Sequence, residues 1–176
     1  MTVKNIIKIS PKENSNNSSF LRTKCENVSS FNEELAIQVN DIVDTLMAHK
    51  IAVGLAAPQI GISKRIFAVN LKLDDSETLV FINPEILNSS GKKDKKKESC
   101  MSVPHFRGIV ERRDKLTVKF QTLIGEYKTI ETSGFVSRVI MHEMDHIDGF
   151  LYIDRVNDID VLEPVDFFKD VKYDVN

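Results

Sequence analysis

An α+β fold, with mostly antiparallel sheets packed around a central helix that bears an HExxH segment, is predicted by three features of the sequence. The elements are ordered as one helix, several strands and a late helix, which is not the rhythm of a βαβ repeat. The segment LTVKF at 116–120 alternates apolar and polar residues, as a half-buried antiparallel strand does. The late helical pattern continues its apolar stripe through two histidines, so that helix faces inward. The 176 residues carry no internal repeat and no Pro/Gly/Ser-rich divider, and 1–176 is read as one domain.

The elements follow in order. Residues 13–19, ENSNNSS, are polar and read as a loop. Ser30 and Glu33 have capping-box spacing. Phe31, Leu35, Val39, Ile42, Val43 and Leu46 then recur at helical intervals, predicting a helix from about 32 to 49. The small-residue segment IAVGLAAPQIG is neither clean helix nor clean strand. RIFAVN (65–70) and TLVFIN (78–83) read as strands separated by a polar turn at Asp74 and Asp75. GKKDKKKE (91–98) reads as a solvated hairpin or loop, with a nucleic-acid patch as the less favoured alternative. YKTIET (127–132) follows LTVKF as a further strand, after a turn at Gly125 and Glu126. The late helix runs from about Gly134 to Gly149, a fitting C′ residue.

Composition removes several function classes. Hydrophobic residues at 41% and charged residues at 28% are those of a folded globular chain, not a disordered one. A net charge of −2 disfavours DNA binding through a broad basic surface. The longest uncharged stretch, Ile51–Ser63, has 13 residues broken by Pro58 and cannot span a bilayer, so no membrane partner is expected. The N-terminus has no apolar secretory segment. Two cysteines, Cys25 and Cys100, suit a reducing compartment better than a disulfide scaffold. The expected location is a bacterial-type cytoplasm.

The chemistry concentrates in HEMDH, 142–146. One helical turn separates His142 from His146, so both imidazoles can meet one cation, and Glu143 can meet a water beside it. Phe135, Val139, His142 and His146 lie on one face of this helix. Phe135 and Val139, joined by Val53, are candidates to line an apolar pocket for an unbranched side chain, and plain core packing is the competing reading. A third metal ligand is open between Cys100 and Glu163. No histidine follows the motif, and Glu163 lies beside Pro164 in an acidic tail. Cys100 in ESCMSVP is therefore the better candidate, with a buried structural thiol as its alternative.

GLAAPQIG (54–61), ESCMS (98–102) and HEMDH (142–146), in this order, resemble the three signature segments of the peptide deformylase family. LRTKCENVSSFNEEL, PQIGISKRIFAVN and DGFLYID extend the similarity over most of residues 20–155. The resemblance implies that Cys100, His142 and His146 ligate the metal. It implies Fe(II), with Zn, Ni or Co able to substitute, and an oxygen-sensitive centre. Glu143 would be the general acid/base. The Gln59 amide and the Met101 N–H would hold the developing oxyanion. Gly54 would lie close to the substrate backbone, and Arg107 would position substrate or brace the site. The implied substrates are nascent N-formyl-methionyl peptides, which lose the formyl group as formate. The implied partner is the ribosome, met transiently.

Three departures from the family pattern stand out. Ala52 and Ser99 replace glycines, and Met101 replaces leucine. If position 99 required a left-handed backbone, the Cβ of Ser99 would be strained. Residues 154–176 carry seven acidic and three basic side chains, so docking by a basic tail is not expected, and the lysine run at 92–97 is the alternative contact. Two other functions are carried forward: an HExxH zinc endopeptidase using Glu163, and a catalytically silent binding protein of the same fold.

Overall fold

A computed structural model describes residues 2–12, 14–70, 78–157 and 161–164. The elements are α1 (Asn16–Leu21), α2 (Glu33–Ala48), β1 (Gly54–Ala56), β2 (Ile66–Val69), β3 (Leu79–Cys100), β4 (Val103–Gln121), β5 (Tyr127–Ser133), α3 (Gly134–Ile147) and β6 (Glu163–Pro164). Among the described residues the strands form one sheet in the order β1-β2-β3-β4-β5, with β6 added to β4. Every strand pairing in it is antiparallel.

The first correction concerns 13–19. Within that polar segment, α1 starts at Asn16 because the Ser15 side chain accepts from Ser18 N–H and caps it. Leu21 ends α1 fully buried and anchors this end of the chain. The helix expected over 32–49 is α2. Its N-cap is Asn32, whose Oδ1 accepts from Leu35 N–H at 3.1 Å. Asn caps as well as Ser and stands directly before the apolar periodicity, so the Ser30 capping box does not form. Leu35, Val39, Ile42 and Leu46 are buried together with Leu55, Ile66 and Ile82.

The largest difference from expectation is β3. The predicted strand at 78–83 is only the start of one that continues to Cys100. Pro84, Gly91 and the lysine cluster hide the continuation from a pattern search. The β3–β4 ladder absorbs them at register shifts, between Ile82 and Glu85, Ile86 and Asn88, and Ser90 and Lys93. Lys92–Lys97 are thus strand residues, and most remain solvated. Lys93 pairs with Glu111 at 2.7 Å, and Lys97 pairs with Glu163 at 2.8 Å. The turn expected at Asp74 and Asp75, and most of the acidic tail, lie outside the described residues.

Helix α3 packs against β1, β2, β4 and β5. Val139, Ile140, Met144 and Ile147 meet Phe67, Phe81, Leu116 and Val118 in the largest apolar cluster. The helix ends as the glycine predicted. Gly149 has φ 82°, Phe150 N–H bonds to Asp145 C=O, and Gly149 N–H bonds to His146 C=O. A Cβ at Gly149 would also lie 2.5 Å from the Arg22 carbonyl oxygen. This fixed end holds the last turn, with His146, against the sheet.

Candidate active site

Three elements converge. The end of β3 carries Glu98, Ser99 and Cys100, and a two-residue connection holds Met101 and Ser102 before β4. Helix α3 supplies His142, Glu143 and His146. The β1 segment and the short 3-10 turn Ala57–Ile60 supply Gly54 and Gln59. A cavity of about 100 Å³ lies between them. Val53, Gly54, Gln59, Cys100, Met101, Phe135, Val139, His142 and Glu143 all line it, whereas Arg107 does not.

The donor atoms of Cys100, His142 and His146 lie within 4.8 Å of one another. Cys100 Sγ is 3.2 Å from His146 Nε2. His142 turns Nδ1 to Glu98 Oε2 at 3.0 Å, which leaves Nε2 for the thiol side. Glu143 is 3% exposed, and its Oε2 meets no hydrogen-bond partner among the described residues. A buried thiolate, two imidazoles and an adjacent unpartnered carboxylate oxygen fit a divalent cation with room for a water.

Electrostatics point the same way. Burial opposes ionisation of Cys100, but the two imidazoles outweigh it and hold the thiol well below its ordinary pKa. Burial likewise opposes charge on His142, yet hydrogen bonds to Cys100 and Glu98 raise its pKa well above the ordinary value. Burial pushes Glu143 up to about 7, against the pull of both imidazoles. The protein thus stores a thiolate and a carboxyl group poised near neutrality in one pocket.

Gln59 is oriented by its backbone. Its Oε1 accepts from Ala56 N–H at 2.8 Å across the 3-10 turn. The amide nitrogen must then face the other way, and it lies 3.5 Å from Cys100 Sγ and 3.2 Å from Ser102 Oγ. A donor is therefore held at the cavity wall in a fixed direction. Met101 lines the same wall.

Gly54 has a reason the sequence did not reveal. A Cβ there would lie 2.8 Å from Glu143 Cδ and collide with Oε1. The missing side chain makes room for the carboxylate. Gly54→Ala should leave metal content intact and lower kcat by about 10²-fold, since small displacements of a reacting group carry that cost. Steady-state rates beside metal analysis check it.

Sequence reasoning missed the support behind His142. Glu98 is 7% exposed and accepts four bonds. Arg112 reaches it through Nε at 2.6 Å and through a terminal nitrogen at 2.9 Å. Arg138 adds one at 2.7 Å and His142 one at 3.0 Å. Asp145 holds Arg112 from the other side at 2.9 Å and also meets Arg155. Desolvation raises the Glu98 pKa, but Arg112 and His142 win and hold it far below the usual carboxylate range. One signal was available: Arg138 stands four residues before His142, one turn along the same helix face.

Arg107 stands apart from the cavity. It pairs across the ladder with Ser99, and its Nε meets Glu163 at 3.0 Å. Glu163 is thus bound by Arg107 and Lys97 and is not a third donor beside His142 and His146. Ser99 and Ala52 also resolve simply. Among described non-glycine residues, positive φ occurs at Asn83 and His105 only, so neither replaced glycine imposes left-handed strain.

The chain is similar to known proteins of one family. The family model described as polypeptide deformylase matches residues 6–161. A peptide deformylase of Acidobacterium capsulatum is 41% identical over 139 residues, covering 78% of this chain and 81% of that protein. Peptide deformylase 1 of Clostridium perfringens is 40% identical over 140 residues, covering 80% and 93%. The crystal structure of a peptide deformylase from Legionella pneumophila superposes with a TM-score of 0.80 at 34% identity, covering 89% of this chain and 87% of that one. That from Thermotoga maritima gives 0.78 at 34% identity, covering 90% and 100%. On this similarity the chain belongs to the peptide deformylase family, enzymes that remove the N-formyl group from nascent polypeptides.

Proposed function

We propose that the chain removes the formyl group of N-formyl-methionyl peptides with a divalent cation held by Cys100, His142 and His146. The observation that carries this reading is the cluster of those three donors within 4.8 Å beside the buried Glu143 carboxylate. A cation bound there supplies Lewis acidity for the formyl carbonyl and lowers the pKa of the attacking water.

The chain's own groups do the rest. Glu143 takes a proton from the attacking water and returns it to the leaving amine. Burial of this carboxyl group favours its taking up that proton. Gln59 Nε2 and Met101 N–H donate to the carbonyl oxygen as it gains charge. Loss of one such donor costs about 2.7–4 kcal/mol of barrier. Val53, Phe135 and Val139 enclose the methionine side chain, while Gly54 admits both the peptide backbone and Glu143. Arg107 is a brace in this reading, holding Glu163 and the end of β3.

We assign Fe(II) as the cellular metal, with Zn, Ni and Co as substitutes, and the cytoplasm as the place of action. No helix among the described residues is long and apolar enough to cross a membrane. Transient ribosome contact falls to the solvated lysines of β3. Charge reversal at Lys92, Lys95 and Lys96 should weaken co-sedimentation with ribosomes, and unchanged co-sedimentation would remove that role.

The test is formate release from a formyl-Met tripeptide by chelator-stripped protein reloaded anaerobically with Fe(II). Turnover that requires the metal and fades in air supports the reading. No formate with one metal bound per chain would leave a silent binding protein. Cleavage of an internal peptide bond would instead make the chain an endopeptidase.

A further inference from the structure

We propose that Arg138 is a specificity-determining residue that makes the side-chain pocket amphipathic, so that peptides beginning with N-formyl-methionine sulfoxide are also deformylated. This rests on the deformylase reading above, and it concerns the walls of the same cavity.

Phe135, Arg138, Val139 and His142 occupy neighbouring positions on one side of α3, and all four line the cavity with Val53. A pocket meant only for a thioether needs no guanidinium in its wall. Arg138 is nonetheless buried there, 7% exposed. Its charge is matched by Glu98 at 2.7 Å. The same terminal nitrogen donates to Val110 C=O at 3.0 Å, and the other donates to Asp94 C=O at 2.7 Å. A guanidinium has five N–H donors, and these three bonds leave Nε–H and one terminal hydrogen without an acceptor among the described residues. The fork is held by three acceptors on two strands, so it cannot swing away. Arg138 is therefore fixed at the pocket wall with two N–H donors that those acceptors do not take.

The chemistry of the occupant follows. A methylene chain offers such donors nothing, a thioether sulfur is a weak acceptor, and a sulfoxide oxygen is a strong one. Methionine sulfoxide keeps the unbranched length of methionine. In a wholly apolar pocket its oxygen would lose water with no replacement, and the peptide would be rejected. Beside Arg138 the oxygen exchanges water for a charge-assisted donor. The reaction itself is unchanged: water adds to the formyl carbon, the C–N bond breaks, and formate leaves with the amine protonated.

The experiment compares kcat/KM for three tripeptides that differ only in the first residue: formyl-Met, formyl-methionine sulfoxide and formyl-norleucine. The wild-type protein should process the sulfoxide at least as well as norleucine. A sulfoxide rate below that of norleucine overturns the proposal. In Arg138→Leu the sulfoxide-to-norleucine ratio should fall by about tenfold or more, the scale of one charged hydrogen bond. Any smaller change overturns it. The ratio cancels general damage to the site through Glu98, and Arg138→Lys, which keeps a cation for Glu98 but lacks Nε–H, should move it in the same direction. Formyl-Met is the internal control. Formate from formyl-Met without the expected ratios sinks only the role of Arg138, whereas no formate from formyl-Met sinks the deformylase reading.

Discussion

Glu143→Ala should bind metal like the wild type and lose about 10²–10⁴-fold in kcat, the range of a positioned general acid/base. The proposed metal donors are three other side chains, so their geometry should survive. What disappears is a carboxylate whose Oε2 has no other partner among the described residues. The pH dependence sharpens the test. Glu143 accepts a proton only when ionised, and burial lifts its pKa to about 7. The wild-type rate should therefore rise with pH through the pKa of this group, which a bound dication moves downward. The residual rate of the alanine variant should lack that limb. Metal content, stopped-time formate release and a pH series together check it. Retention of the limb in the variant would assign it to another group.

The second large effect belongs to Glu98→Gln. Glu98 holds His142 by Nδ1 and is the shared anion for Arg112 and Arg138. Removing its charge leaves two buried guanidinium groups with Asp145 as the remaining side-chain anion near Arg112. Breaking a buried pair in this way costs about 3–5 kcal/mol of stability. Loss of the carboxylate behind a ligating histidine typically weakens metal binding about 10–100-fold. The sign of the pH effect follows from the depressed folded-state pKa. The stabilisation from Glu98 is complete above the ordinary carboxylate value of 4.5 and is lost as pH falls below it toward the folded-state value. Wild-type and variant stabilities should therefore converge in acid and diverge at neutral pH. Denaturant titrations at several pH values, beside metal competition, check both parts.

The helix that carries HEMDH was legible because two signals coincide in it. An apolar stripe at helical spacing ran straight into His142 and His146, and Gly149 marked the end. Gln59 and Met101 were legible only through resemblance to the family. Their positions are set by a 3-10 turn and a strand connection that no periodicity announces. Glu98 was illegible for a different reason. It closes a lysine-rich run, and such runs are usually solvated. Its burial is created by β4 and α3, which bring Arg112 from 14 residues away and Arg138 from 40. The same cross-strand pairing carries β3 through Pro84 and Gly91. Local propensity opposes a strand there, and the ladder overrides it. The placement of Arg107 was likewise set by β6, since its partner Glu163 is 56 residues distant.

The proposed cation site is completed by Cys100, not Glu163, beside His142 and His146. The most direct measurement is the absorption spectrum of the Co(II)-loaded protein, taken for the wild type, Cys100→Ser and Glu163→Gln. A near-ultraviolet thiolate-to-cobalt charge-transfer band should appear in the wild type, persist in Glu163→Gln and vanish in Cys100→Ser. A spectrum without that band in the wild type, or a site lost on changing Glu163 and kept on changing Cys100, would contradict the account.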